Sequence, residues 1–339
     1  MGIHKEYGNL RMLMQFFVLA VVLCCSCSKN EPVQEDVAID FGAVVPSIAP
    51  VTRLQPDANV FETSDKMGVY GYLVHNGTYG TADVTDYSSP YINNGEIVYC
   101  GEQDSRSLWH FNPARYWPNM GYKAIKFYAY WPYPAPGADS PGITLVEHRG
   151  NYPYFNYKSD VAGGAKNEDF LVAQASGWRE IVDLKFKRPL AKVTVEVTYE
   201  DFIGTMGVDF NMPVISSGRF DYDASGAEDG DGWNLEGAST EHLKLKYTGV
   251  INGDSKGTYA VVGTSYLIPQ VIEKFSVIWN YHKEAKYSSE VSGVLVLEAG
   301  KSYTIKLDIQ KDHVIRVVTE VEGGTEVQKW FTITNENEI

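Results

Sequence analysis

At 339 residues the chain is long enough for about two domains and a sizeable buried core. Its 43 Asp and Glu against 29 Lys and Arg give a net charge of −14, which argues against a nucleic-acid surface, since that needs a basic patch to displace counterions from phosphate. Aromatic residues make up 13%, with 23 tyrosines spread through strand-like segments, and long windows of Ala, Leu, Glu and Lys are nearly absent, so the predicted fold class is all-β.

The first chemistry is at the N-terminus. His4, Lys5 and Arg11 form a basic region, and the eleven residues Leu13 to Leu23 are predominantly apolar. That pattern is a secretory signal over residues 1–26. It is too short for a transmembrane helix, which needs about 20 apolar residues. The cysteines that follow, in Leu23-Cys24-Cys25-Ser26-Cys27-Ser28, resemble a bacterial lipoprotein signal, in which one cysteine is acylated and becomes the new N-terminus. Cys27 fits that role because Ser26 before it is small; Cys25 is the alternative. Two or three acyl chains hold a protein firmly on a membrane, at ~0.8 kcal/mol for each buried CH₂. With Cys27 alkylated, Cys100 is the only other cysteine of the mature chain, so no intrachain disulfide forms. Cys100 ends the strand-like EIVYC and is expected to be a small buried hydrophobe. Residues 27–37 are polar, acidic and Pro-containing and read as a solvated tether. Such a tether behind the cysteine is similar to the surface-export signal of Bacteroidetes lipoproteins.

Next comes AIDFGAVVPSIAPVTR, Ala38 to Arg53. Alternation puts Ile39, Phe41, Ala43 and Val45 on one face of a half-buried strand. Pro46 and Pro50 then interrupt any ladder. Arg53 sits in a connector of the kind that a trypsin-like protease can reach. On local sequence alone the segment reads first as an opening strand and a connector with a solvent-facing arginine, and only second as a processing site.

The body is a succession of strands. Met67 to Val74, Glu96 to Cys100, Leu108 to Phe111, Ala124 to Trp131, Ile143 to Glu147 and Asp169 to Ala173, with the opening strand, make about seven, the number of a single β-sandwich. A second set starts at Leu184 to Lys187 and Ala191 to Tyr199. It continues through Val214-Ile215, Lys244 to Tyr247, Thr258 to Val262, Ser265 to Ile268, Lys274 to Trp279, Gly293 to Leu297 and Tyr303 to Ile309. In the tail, Val314 to Val321 and Glu326 to Ile333 flank Gly323-Gly324 and are predicted to form a hairpin. The expected domains are therefore residues 38–178 and 179–339, with the boundary near Gly177-Trp178.

No motif in this body carries catalysis. His4, His75, His110, His148, His242, His282 and His313 are isolated, and no HExxH, P-loop, G-x-S-x-G or G-x-G-x-x-G is present. Asp221 to Gly226 copies the first half of a calcium loop, but Gly232 stands where the bidentate glutamate belongs, so the segment 221–233 reads as an acidic hairpin loop. The aromatic stretch Trp109 to Tyr133 invites a sugar platform. Alternation in AIKFYAYW instead sets Ile125, Phe127 and Ala129 opposite Lys126, Tyr128 and Tyr130, as in a core strand. No catalytic residue, metal ligand or cofactor is expected.

The order of landmarks resembles the fimbrillin family of Bacteroidetes, the subunits of protease-processed pili. They are the lipoprotein cysteine and acidic tether, Ile39-x-Phe41, Val51-Thr52-Arg53, Phe61, DKMGVYGY from Asp65, YWP from Tyr116, KFYAYWP from Lys126 and DFLVA from Asp169. LKFKRPLAKVTVEV from Leu184, YLIPQ from Tyr266 and AGKSYTIKLDI from Ala299 complete them. Met67, Arg188 and Leu54 depart from the usual isoleucine, histidine and alanine. The resemblance implies two transthyretin-like β-sandwiches in tandem and assembly with other pilus subunits by strand exchange, a form of β-augmentation. It implies that the lipid holds the subunit in the outer membrane, that Arg53 is the scissile residue and that the strand bearing Ile39, Phe41, Ala43 and Val45 leaves after the cut. The tail, with Val314, Ile315, Val317, Val327, Trp330, Phe331 and Ile333, is then the candidate donor. A glycan-binding surface lipoprotein of a polysaccharide-uptake system shares the anchor and the sandwiches and is the rival reading; a glycoside hydrolase, which needs two facing carboxylates, ranks third.

Overall fold

The computed structural model describes residues 36–44, 61, 65–77, 82–103, 106–119, 121–133, 142–147, 150–162, 169–222, 232–252, 258–281, 285–321, 328–329 and 331–336. The signal, most of the tether, Val45, Arg53, Val327 and Trp330 lie outside these residues. Among the described residues the chain is all β, with no helix. The first strands are β1 (Asp40–Val44), β2 (Lys66–His75), β3 (Val84–Thr85), β4 (Ile92–Gln103), β5 (Arg106–Phe111), β6 (Ala124–Trp131), β7 (Gly142–Val146), β8 (Tyr154–Lys158), β9 (Leu171–Gly177) and β10 (Val182–Lys185). There follow β11 (Ala191–Tyr199), β12 (Ile203–Ile215), β13 (Ser217–Phe220), β14 (Trp233–Asn234), β15 (Thr240–Asn252) and β16 (Ala260–Leu267). The last are β17 (Gln270–Tyr281), β18 (Ala285–Leu297), β19 (Ser302–Ile309), β20 (Ile315–Val321), β21 (Gln328–Lys329) and β22 (Phe331–Glu336).

The C-terminal part is a sandwich of two five-stranded sheets. One runs β16, β11, β19, β20, β21 and the other β15, β12, β17, β18, β22. β11 shows why the sequence folds this way: Ala191, Val193, Val195, Val197 and Tyr199 are buried in strict alternation, and Lys192, Thr194, Glu196 and Thr198 between them are not. Their partners across the core include Phe210, Phe275 and Trp279. Sequence reasoning finds only the end of β12, although Met206, Val208, Phe210, Met212 and Val214 alternate into the core, because Gly204, Gly207 and Pro213 are poor strand formers. Pro213 is tolerated because the pairing of β12 with β17 stops at Asn211.

The N-terminal part is built on an eight-stranded sheet in the order β10, β1, β5, β4, β2, β6, β9, with β3 added to β2. The sheet curls until its ends meet, and Val172 of β9 and Lys187 beyond β10 exchange backbone hydrogen bonds of 3.1 and 2.9 Å. Inside the curl lies a core that includes Ile39, Phe41, Trp109, Phe111, Trp117, Phe127 and Leu184. Over its outer face lies a four-stranded sheet, β14, β13, β8, β7, which joins strands from before and after Gly177. Between the two sheets sits a second core rich in tyrosine, with Tyr70, Tyr72, Tyr128, Tyr130, Tyr157 and Tyr222 buried. Two of its hydroxyls find backbone partners, Tyr222 O–H donating to Ala129 at 2.8 Å and Tyr157 O–H to Tyr266 at 2.7 Å. Near the junction the guanidinium of Arg188, 5% exposed, pairs with Asp169.

Two expectations change here. Cys100 is exposed, not buried. It alternates with Ile97 and Tyr99, which face the core, and it falls at the irregularity between Tyr99 and Gly101 where β4 slips against β5. The tail does not close as one hairpin. β21 pairs with β20, but β22 crosses to the opposite sheet and pairs with β18.

Candidate functional site

β1 occupies a slot, not an edge. It pairs in parallel with β10, Phe41 opposite Val182 and Ala43 opposite Leu184, and antiparallel with β5, Phe41 opposite Trp109. Its flanks are also tied down. Ile39 N–H donates to Arg115 at 2.8 Å, Trp117 N–H to Val37 at 2.9 Å and Phe186 N–H to Val44 at 2.9 Å. These bonds fix the strand at both ends and on both sides. Leaving one such buried group unpaired costs about 1–3 kcal/mol, so the slot strongly favours being filled by some strand.

The side chains plug the core of the curled sheet. Phe41 is fully buried and meets the rings of Phe111 and Phe127 edge-on, with centroids 5.5 and 5.1 Å away. Ile39 and Ala43 are buried on the same face, as alternation predicts, while Val44 points out at 45% exposure. Val45, the fourth residue expected on that face, lies outside the described residues. The chain re-enters the same core at Phe61, whose ring packs edge-on against Trp109 at 4.8 Å. Residues 45–60, which include Arg53, are thus the only covalent link between β1 and the folded body downstream. β10 is the partner that sequence reasoning groups with the second set of strands; its pairing with β1 spans about 140 residues, and only its short alternation, Val182 and Leu184 in, Asp183 and Lys185 out, was available to find it.

The candidate donor residues that lie among the described residues, Val314, Ile315, Val317, Phe331 and Ile333, are held away from this slot. Ile315 and Val317 are buried in the C-terminal core through the pairing of β20 with β19, and Val314 is half-buried in the turn before it. In β22 the backbone of Phe331 sits opposite Ser292 and that of Ile333 opposite Glu290. β21 and β22 end their respective five-stranded sheets, so each has one neighbour. No tail strand pairs with the eight-stranded sheet among the described residues.

The remaining sequence candidates resolve into structure. β6 is buried on both faces: Ile125, Phe127 and Ala129 enter one core, and Tyr128 and Tyr130 enter the other. The rings of Phe127, Tyr128 and Tyr130 are therefore unavailable as a flat sugar platform. Asp221 accepts a 2.8 Å hydrogen bond from Arg219, and the pairing of Phe220 with Trp233 closes the loop as a hairpin; residues 223–231 lie outside the described residues. No cluster of three metal-ligating side chains exists among the described residues. The thiol of Cys100, although exposed, is pushed up from its ordinary value by partial desolvation and then by the nearby Asp40 carboxylate.

The family model described as fimbrillin-like matches residues 52–330, which leaves β1 and all that precedes it outside the match. No curated protein matches the chain. Among solved structures, a candidate cell-adhesion protein from Bacteroides ovatus is 17% identical with a TM-score of 0.51, covering 88% of this chain and 99% of its own. Another from Bacteroides uniformis is 16% identical with a TM-score of 0.48, covering 85% and 99%. At these identities the likeness to the Bacteroides ovatus protein is one of fold.

Proposed function

Because this chain belongs to the fimbrillin-like family, we propose that it is a structural subunit of a surface pilus that serves adhesion, built as two transthyretin-like sandwiches and exported as a lipoprotein anchored through Cys27. On this reading the subunit reaches the outer surface of the cell on its lipid. A protease cuts after Arg53, β1 leaves with the anchor, and the tail of another subunit enters between β5 and β10. One observation carries the reading: β1 is an interior strand that plugs a core, yet it is joined to the body only through the connector that holds Arg53. Loss of β1 frees donors and acceptors on two strands at once and uncovers Phe111 and Phe127, so a strand of suitable alternation gains both ladders and an apolar trough. The candidate adhesion role of the Bacteroides ovatus protein is in keeping with this assignment.

The test is to treat the lipid-free chain from residue 28 onward with a trypsin-like protease. A new N-terminus at Leu54 accompanied by ladders that resist SDS is the expected result, and Arg53→Ala should abolish both. Monomer alone after a clean cut at Arg53 would reject assembly by this route.

A further inference from the structure

The geometry points to a second site, a pocket for a single neutral sugar ring, on the outer side of the eight-stranded sheet away from the β1 slot. The pocket is a cavity of about 250 Å³. Tyr70 and Tyr72 come from β2, Tyr87 and Ser88 from the segment between β3 and β4, Asn93 from β4, and Glu147 from the end of β7. These six residues converge from four separate stretches of chain. The volume falls just below the range of about 300–1,000 Å³ typical of drug-sized ligands, which suits one ring rather than an oligosaccharide. Ser88, Asn93 and Glu147 are exposed, so the cavity opens to solvent.

Its chemistry is aromatic on the walls and rich in hydrogen-bond acceptors at the mouth. The half-buried ring of Tyr87, with the buried Tyr72 ring 5.1 Å from it at 60°, gives the cavity an aromatic wall against which the C–H face of a pyranose can pack. The phenols themselves are committed. Tyr70 O–H donates to Glu147 Oε1 at 3.1 Å, and the hydroxyls of Tyr87 and Tyr128 bond each other at 2.8 Å. Burial, and then the charge of Glu147, raise the Tyr72 phenol to about 12 and push Tyr70 still higher, so both rings stay neutral. Ser88 gives its proton to Asp86 at 2.6 Å and keeps an acceptor oxygen, and Glu147 has its second carboxylate oxygen. Asn93 adds an amide with both donor and acceptor. A guest must therefore bring several donors and an apolar face, which a neutral sugar does. No basic side chain is present among the described lining residues to attract an acidic sugar or a phosphate. Of the aromatic stretch that the sequence singles out between Trp109 and Tyr133, Phe127, Tyr128 and Tyr130 are buried, whereas the Tyr87 ring at this cavity is half-buried.

Saturation-transfer NMR on the full-length chain with the methyl glycosides of glucose, galactose, mannose and N-acetylglucosamine, one at a time, tests the proposal, with tetramethylammonium as the cationic control. At least one glycoside should saturate in the millimolar range. The double variant Asn93→Ala, Glu147→Gln, at exposed positions, should weaken it at least tenfold with the same melting temperature. A glycan array then separates a free ring from a ring at the end of a chain, and retention of arrays ending in the bound sugar is expected. Saturation by no glycoside, equal binding by the double variant, or binding of tetramethylammonium alone overturns it. The variant should still form ladders after cleavage at Arg53, so failure here leaves the assembly reading standing.

Discussion

Replacing Phe41 by alanine should unfasten β1 while leaving the C-terminal sandwich intact. Phe41 is fully buried with two edge-on ring contacts, and Phe→Ala at such a site costs about 3–5 kcal/mol. If β1 opens as a local unit, all of that cost falls on the opening equilibrium. At 1.4 kcal/mol per factor of ten, the open population rises roughly 140- to 4,000-fold. Native-state hydrogen exchange reads this directly, because three amides report on the strand: Ile39, Trp117 and Phe186, which bond Arg115, Val37 and Val44. They should accelerate together by that factor, whereas the amides of Lys192 and Glu200, bonded to Lys301 and Ile309 in the other sandwich, should not change. Phe41→Leu, which keeps most of the volume, should accelerate the three by about tenfold or less. Unchanged exchange at the three amides, or equal acceleration in the N-terminal sheet and the C-terminal sandwich, would refute the picture of β1 as a separable plug.

Two further predictions concern the tyrosine-rich core. A Cβ on Gly68 of β2 would lie 2.2 Å from the Tyr130 ring, which is fully buried and donates its hydroxyl to Asn94 at 2.8 Å, so Gly68→Ala should destabilise by about 1–3 kcal/mol; an unchanged melting temperature would mean that the ring is free to move. The phenols of Tyr70, Tyr72, Tyr157 and Tyr222 are raised, chiefly by burial. Their stabilising contribution is complete below the ordinary tyrosine value near 10 and is lost as pH climbs through the raised value, about 12 for Tyr72. Absorbance at 295 nm should therefore show one class titrating near pH 10 and a second that ionises only as the circular dichroism of the fold collapses. A single class near 10 with the fold retained would contradict the burial.

Residues with local, one-sided patterns were legible in the sequence. Ile39, Phe41 and Ala43 face one core as alternation demands, and β11 follows the period of two along its whole length. What was hidden depends on partners distant in the chain. Tyr128 and Tyr130 look like the outward face of β6 until β13, about 90 residues later, brings Phe220 and the following Tyr222 over them. β8 escaped because Tyr154 to Lys158 is short and directly follows Pro153. The YLIPQ stretch reads as a strand and a stop; the structure shows that the Gln270 side chain takes the place of a neighbouring strand, accepting from Ile215 N–H at 2.7 Å and donating to the carbonyls of Ile215 and Ile268. In the slot, sequence supplied the plug and the connector. The walls, β5 and β10, come from pairings whose register no local pattern encodes.

The claim that the β1 slot receives the tail of another subunit is tested most directly by disulfide mapping. With exposed Cys100 replaced by serine, Asp183→Cys places a thiol on β10 opposite Gly42 of β1, on the open side of the strand. A second population carries single cysteines from 328 to 336. Adjacent strands bring paired residues within the Cα separation of about 4.4–6.8 Å that a disulfide requires. The account predicts disulfides between subunits only after cleavage at Arg53, at every second tail position. Disulfides that form equally before cleavage, or polymers in which no tail position links to residue 183, would contradict it.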